Sequence, residues 1–201
     1  MSVRKRLILA FLTVWGLLLG LAAPAFADVQ PLAWTSYSPS YNVQQEGCGS
    51  VSGLTFSLSC SKSSSGYDRA ERRYVTYTSG QRKFEGSFRI TSMGGSRISL
   101  KQTFHDGVGP FFLLAVENGG RLYSVEGGAT VASGATVGTT VKVDTIHIMG
   151  NQLQVYINGT KMLTVSAPTS GGYYDKFGAY RTSSGTGPIN VVWSGVQFWY
   201  Q

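Results

Sequence analysis

The chain has 201 residues, 26 of them glycine, a formal charge of +7 and only two cysteines. That length suits a leader and one domain large enough to bury a core. Its basic residues are dispersed, without the Lys/Arg runs of a nucleic-acid binder.

The N-terminus fixes the expected compartment. Arg4, Lys5 and Arg6 form a basic n-region, and Leu7 to Leu21 is an apolar h-region. The h-region falls short of the roughly 20 residues that span a bilayer. Pro24-Ala25-Phe26-Ala27 follows with small residues at the positions a signal peptidase reads. Residues 1–27 are expected to be a signal peptide, and residues 28–201 the single domain of a secreted, extracellular protein. Removing three basic residues and no acid lowers the charge from +7 to +4. A mildly basic protein suits an acidic polymer, and no membrane is expected as a partner once the signal is cleaved. In an oxidising compartment Cys48 and Cys60 are expected to pair, closing a short loop worth about 3 kcal/mol on the chain-entropy model. His105 and His147 have no ligand spacing with them, so no metal site is expected; no motif supports a cofactor, and none is expected.

The rest of the chain alternates with the two-residue period of strands, between glycine-rich turns. Leu54 to Leu58 alternates cleanly, as do Phe84 to Ile90 and Ile98 to Phe104, the last two separated by a turn at Met93-Gly94-Gly95-Ser96. Phe111 to Val116 is nearly continuous in apolar residues, as in a strand covered on both faces. Asn118-Gly119-Gly120 turns it into Arg121 to Val125. Val141 to Met149, Gln152 to Ile157 and Lys161 to Val165 form a ladder joined by Gly150-Asn151 and Asn158-Gly159. Asn-Gly is a strong hairpin signal because both turn residues must tolerate positive φ. Asn158-Gly159-Thr160 is also a glycosylation sequon, for which the plain turn is the better account. Tyr174 to Arg181, Ile189 to Trp193 and Val196 to Trp199 complete the set. So many short strands predict an all-β fold: a two-sheet antiparallel β-sandwich or jelly roll.

Three stretches carry residues that could do chemistry. In Asp68 to Tyr74, alternation puts Arg69, Glu71 and Arg73 on one face. The glutamate is expected to brace both guanidiniums, leaving their outer N–H groups free to grip an anion. Arg72 falls on the opposite face, which should be apolar. In Lys101 to Gly107, Gln102 could donate to a carboxylate and His105 could exchange a proton near neutral pH. Three residues apart, they share a face only if a bulge re-aims one. In Tyr174 to Arg181, Tyr174, Lys176, Gly178 and Tyr180 share a face, with Phe177 and Ala179 opposite. Gly178 would leave room close to the backbone. Tyr180, with neighbouring arginines favouring its phenolate, could exchange a proton in a transition state.

Arg69-x-Glu71-x-Arg73, followed much later by Tyr174-x-Lys176-x-Gly178-x-Tyr180, resembles the paired strand motifs of the alginate-lyase-type polysaccharide lyases. These are secreted jelly rolls with a concanavalin-like sandwich, a group that includes glucuronan lyases. The resemblance spans most of residues 30–201. It implies β-elimination on a polyuronate, with Tyr180 at the position of the catalytic tyrosine and Lys176 at that of a substrate-contacting lysine. Arg69, Glu71 and Arg73 fall on the arginine-bearing strand, and Gln102 falls on the Gln-x-His strand. The family's histidine comes two residues after the glutamine; here that position is Phe104, and His105 follows one later. The expected catalytic set is Tyr180, Arg69, Gln102 and His105, with Glu71, Arg73, Lys176 and Tyr174 binding substrate.

The sequence therefore predicts a secreted polysaccharide lyase, expected as a monomer, with an acidic polysaccharide as its partner. A lectin-like module that binds glycans on the same fold without catalysis is the alternative. A retaining glycoside hydrolase needs two carboxylates about 5 Å apart, and the ten acidic residues are scattered, with no Glu-x-Asp-x-Glu pattern.

Overall fold

The computed structural model describes residues 33–201; the expected signal peptide lies outside them. Fifteen strands follow in order: β1 (Thr35–Tyr37), β2 (Tyr41–Glu46), β3 (Gly49–Ser52), β4 (Thr55–Leu58) and β5 (Arg69–Tyr74). Next come β6 (Gln81–Met93), β7 (Arg97–His105), β8 (Gly109–Glu117), β9 (Leu122–Ser124) and β10 (Thr130–Ala132). The last are β11 (Thr140–Ile148), β12 (Gln152–Ile157), β13 (Thr160–Ser166), β14 (Tyr173–Tyr180) and β15 (Ile189–Tyr200). The described residues contain no helix.

The strands form two antiparallel sheets, as expected. One runs β13-β12-β11-β6-β15-β4-β3, with β1 paired to β15; the other runs β10-β9-β8-β7-β14-β5-β2. The Asn158-Gly159 hairpin has positive φ at both residues, 50° and 82°, and Asn158 Oδ1 accepts the Lys142 N–H at 2.9 Å. The two strands expected near the C-terminus are one, β15, whose register shifts against β6 between Ser194 and Gln197. β2 and β3 lacked a signature because they lie at sheet edges with mostly exposed, polar residues.

Side chains from both inner faces fill the space between the sheets. Phe56, Phe84, Phe88, Phe177 and Trp193 are almost fully buried there, with Phe177 5.0 Å from Trp193 and 5.4 Å from Phe56 between ring centroids. Such rings supply much of the burial energy of a sandwich. An ion pair sits among them: Lys101 Nζ lies 2.5 Å from Asp175 Oδ1, and Thr103 donates to the same carboxylate oxygen at 2.9 Å. Burial pulls the Lys101 pKa down, against the opposing pull of Asp175.

The Cys48–Cys60 disulfide is formed, with Cα atoms 5.8 Å apart. It adjoins a buried latch. Asp68 accepts the Cys48 N–H and the Ser63 N–H, both at 3.1 Å, and receives Arg181 Nε at 2.5 Å. Burial alone would raise the Asp68 pKa, but these hydrogen bonds outweigh it and hold the carboxyl well below the usual range. Asp68 and Arg181 directly precede and follow Arg69 and Tyr180, so the latch ties down the ends of β5 and β14 where those two side chains project.

Candidate active site

The outer face of the second sheet carries a groove of about 490 Å³. Strand register assembles it. On β14, Tyr180 lies opposite Arg69, Gly178 opposite Glu71 and Lys176 opposite Arg73 of β5. On the other side of β14, Lys176 faces Gln102 and Tyr174 faces Phe104 of β7. Gln44 of β2 pairs with Glu71 and adds to the wall. A bulge in β7 makes this possible: its register shifts against β8 between Ser99 and Lys101. Leu100 and Lys101 both turn inward, and Gln102 emerges into the groove instead of the core.

Glu71 is the floor of the site, only 1% exposed. Its carboxylate accepts the Gln102 Nε2 amide and lies 3.8 Å from Lys176 Nζ, itself nearly buried. Burial raises the Glu71 pKa and lowers that of Lys176, each against the attraction of the other. The pair is costly to desolvate, and its geometry holds an amide and an ammonium side by side under the groove.

Arg69 and Tyr180 form one end, with the guanidinium carbon 5.3 Å from the phenol ring. Arg69 Nε lies 3.4 Å from Glu46 of β2, outside hydrogen-bond geometry. Burial raises the Tyr180 pKa above its ordinary 10.0 and exceeds the lowering by Arg69. The phenolate expected beside an arginine is therefore not the resting form. At the other end Tyr174 and Phe104 stack with centroids 4.9 Å apart. Arg73 lies 4.0 Å from the centre of the Tyr174 ring, and Lys176 Nζ lies 4.7 Å from that of Phe104.

Seven of the eight residues expected in the site line this groove: Tyr180, Arg69, Gln102, Glu71, Arg73, Lys176 and Tyr174. His105 does not. From Gln102 onward the strand pairs regularly with β14, and the second shift against β8, between Thr103 and Phe104, places its extra residue on β8; the histidine therefore faces inward and stacks on Tyr173, 5.3 Å between centroids. The bulge lies before both residues and cannot bring them to one face. The bracing by Glu71 also differs from expectation: it holds Gln102 and Lys176, while Arg73 reaches Asp106 at 3.8 Å. Nor does Gly178 leave room for a ligand. A Cβ there would lie 2.2 Å from the Ala70 carbonyl oxygen, so the glycine admits strand β5. Gln44, Glu46 and Asp106 were missed, since only pairing across strands brings them near. The described residues contain one cluster of metal-capable side chains, Cys48, Cys60 and Asp68, whose two sulfurs are joined to each other.

The sheets and groove define a jelly roll with a cationic, tyrosine-bearing cleft. No protein-family model and no curated protein matches the chain. Solved structures do. An alginate lyase from Pseudomonas aeruginosa is 20% identical with a TM-score of 0.61, covering 82% of this chain and 88% of its own. An alginate lyase of polysaccharide lyase family 7 is 21% identical with a TM-score of 0.55, covering 83% and 82%. A chain titled sialidase matches at 15% identity and a TM-score of 0.58 over 79% of this chain, but only 16% of its own. At these identities the likeness establishes the fold, which by itself does not fix an activity.

Proposed function

We propose that this protein is a secreted polysaccharide lyase that cleaves a polyuronate by β-elimination. The observation that carries the proposal is the meeting of Arg69, Gln102, Lys176 and Tyr180 in one groove, from three strands far apart in sequence. The alginate lyases among the similar structures and the disulfide, which suits an oxidising compartment, support it further.

Elimination removes the proton at C5 of a uronate, forms the C4–C5 double bond and expels the glycosidic oxygen from C4. Charge builds on the carboxylate as the proton leaves, so fixed donors beside it lower the barrier. Arg69 and the free N–H of the Gln102 amide are suited to that carboxylate, with Lys176 and Arg73 to neighbouring sugars. Tyr180 is suited to both proton transfers: its phenolate takes the C5 proton and the phenol returns a proton to the leaving oxygen. This route calls for a substrate whose C5 proton and leaving group lie on one side. The groove has no histidine to serve a second side, since Phe104 occupies the corresponding position.

That same Phe104, stacked on Tyr174, favours a second reading as a glycan-binding module with an aromatic floor. Incubation with a panel of polyuronates, following ultraviolet absorbance of the unsaturated product, separates the two. The lyase gives absorbance that Tyr180→Phe abolishes while binding persists. Binding without absorbance on any polyuronate leaves only the module.

A further inference from the structure

A second cleft lies behind the groove, at the edge where the two sheets part. At about 690 Å³ it falls within the range of roughly 300–1,000 Å³ typical of ligand sites. Tyr37, Tyr41, Tyr74 and Trp199 line it with Arg72, and none of these residues belongs to the groove. Arg72 is the inward charge that alternation made awkward. Its Nη2 donates to the Gly53 carbonyl at 2.6 Å and its guanidinium carbon lies 4.3 Å from the centre of the Tyr41 ring. It has no carboxylate partner among the described residues. A cation held by a backbone carbonyl and a ring, without a counter-charge, is prepared for an anion from outside.

Groove and cleft share walls with a third hollow. A smaller hollow of about 240 Å³ wraps the start of edge strand β2; it shares Arg73 with the groove, and Tyr41 and Tyr74 with the cleft. Arg72 and Arg73 are consecutive on β5, so their guanidiniums stand on opposite sides of one strand. The hollow between them is walled by Asn42, Thr76 and Ser40, which offer hydrogen bonds; Thr76 already donates to Asp106, 3.3 Å away, the carboxylate that Arg73 also approaches.

We infer that the cleft is a distal binding site for a uronate sugar of the same chain that occupies the groove, reached around β2 by way of Arg73. The inference rests on the polyuronate reading of the groove. The exposed ring of Tyr41 matches the C–H face of a pyranose, and Arg72 matches its carboxylate. The site thereby favours long polymers over short oligomers, because each further sugar binds to a chain already held.

The test is calorimetric binding of uronate oligomers, from dimer to octamer, to the Tyr180→Phe protein, with neutral glucose oligomers in parallel. Affinity for uronates should keep rising after the groove is filled, by about tenfold for the longest. Tyr41→Ser, at a residue 43% exposed and thus tolerant of change, should cancel that rise. Arg72→Gln should do the same, whereas Arg69→Ala should weaken all lengths alike. A plateau at the same length in Tyr180→Phe with and without Tyr41→Ser overturns the distal site while leaving the groove intact. An equal rise with neutral oligomers overturns its acidic preference. Absence of uronate binding at every length overturns the groove reading and this one with it.

Discussion

Gly178→Ala tests the physical link between the strand pair and the site. The backbone there has φ +143°, and an added Cβ would meet the Ala70 carbonyl oxygen at 2.2 Å and Phe56 Cδ1 at 2.8 Å. One obstacle is main chain and the other a fully buried ring, so neither can swing aside. Overpacking of this kind costs about 1–3 kcal/mol, and positive φ adds about 1–2 kcal/mol for a residue with a Cβ. Together they predict a loss of about 2–5 kcal/mol and a Tm lower by about 4–20 °C for a domain of this size. Gly159→Ala is the control: its φ is +82°, but nothing lies within 4 Å of the new Cβ. It should lose only the conformational part, about 1–2 kcal/mol. Thermal unfolding of both variants by circular dichroism reads, as their difference, the clash together with the harsher backbone angle at Gly178. Because β14 must move away from β5, Tyr180 should also shift against Arg69, and affinity for acidic oligosaccharides should fall with stability. If Gly178→Ala unfolds no earlier than Gly159→Ala, the close approach of the two strands is not what this glycine serves.

Three other outcomes follow from charges and protons. The elimination rate should climb with pH toward and beyond 10, because the base is a phenolate whose pKa burial holds above 10.0; a break near 6.5 would instead reveal an imidazole and sink the assignment of Tyr180. Asp175→Asn leaves Lys101 as an unmatched buried cation and should cost about 3–5 kcal/mol in urea unfolding, while Lys101→Met with Asp175→Leu should recover most of it; equal losses in the two variants would contradict the pairing. His147 is buried against Tyr77, 2.8 Å from its hydroxyl, and burial lowers its pKa from 6.5 to about 4. Its depressed pKa contributes stability above pH 6.5 that is lost as pH falls toward 4, about 3 kcal/mol in all. His147→Gln should flatten that part of the acid limb, and an unchanged limb would place the titration elsewhere.

Amino-acid order was enough for the class of fold and for which side chains share a face of each strand. Two-residue alternation and turn glycines announce strands, because a strand's side chains report which face is buried. The same alternation put Tyr174, Lys176 and Tyr180 on one face, and Arg69, Glu71 and Arg73 on another. Edge strands such as β2 stayed hidden, since exposed, polar residues carry no burial signal. Tertiary structure alone decided which faces meet. The bulge at Leu100–Lys101 is a matter of register between neighbours; it sends Gln102 outward, sends Lys101 to Asp175, and leaves His105 against Tyr173. Glu71 holding Gln102 and Lys176 rather than its own arginines is likewise set by pairing across strands. Burial, too, belongs to the assembled sheets: it makes Tyr180 a phenol at rest, where adjacent arginines in the sequence suggested a phenolate. Local pattern fixes the face a residue occupies; the partners and dielectric on that face are fixed only when distant strands pack.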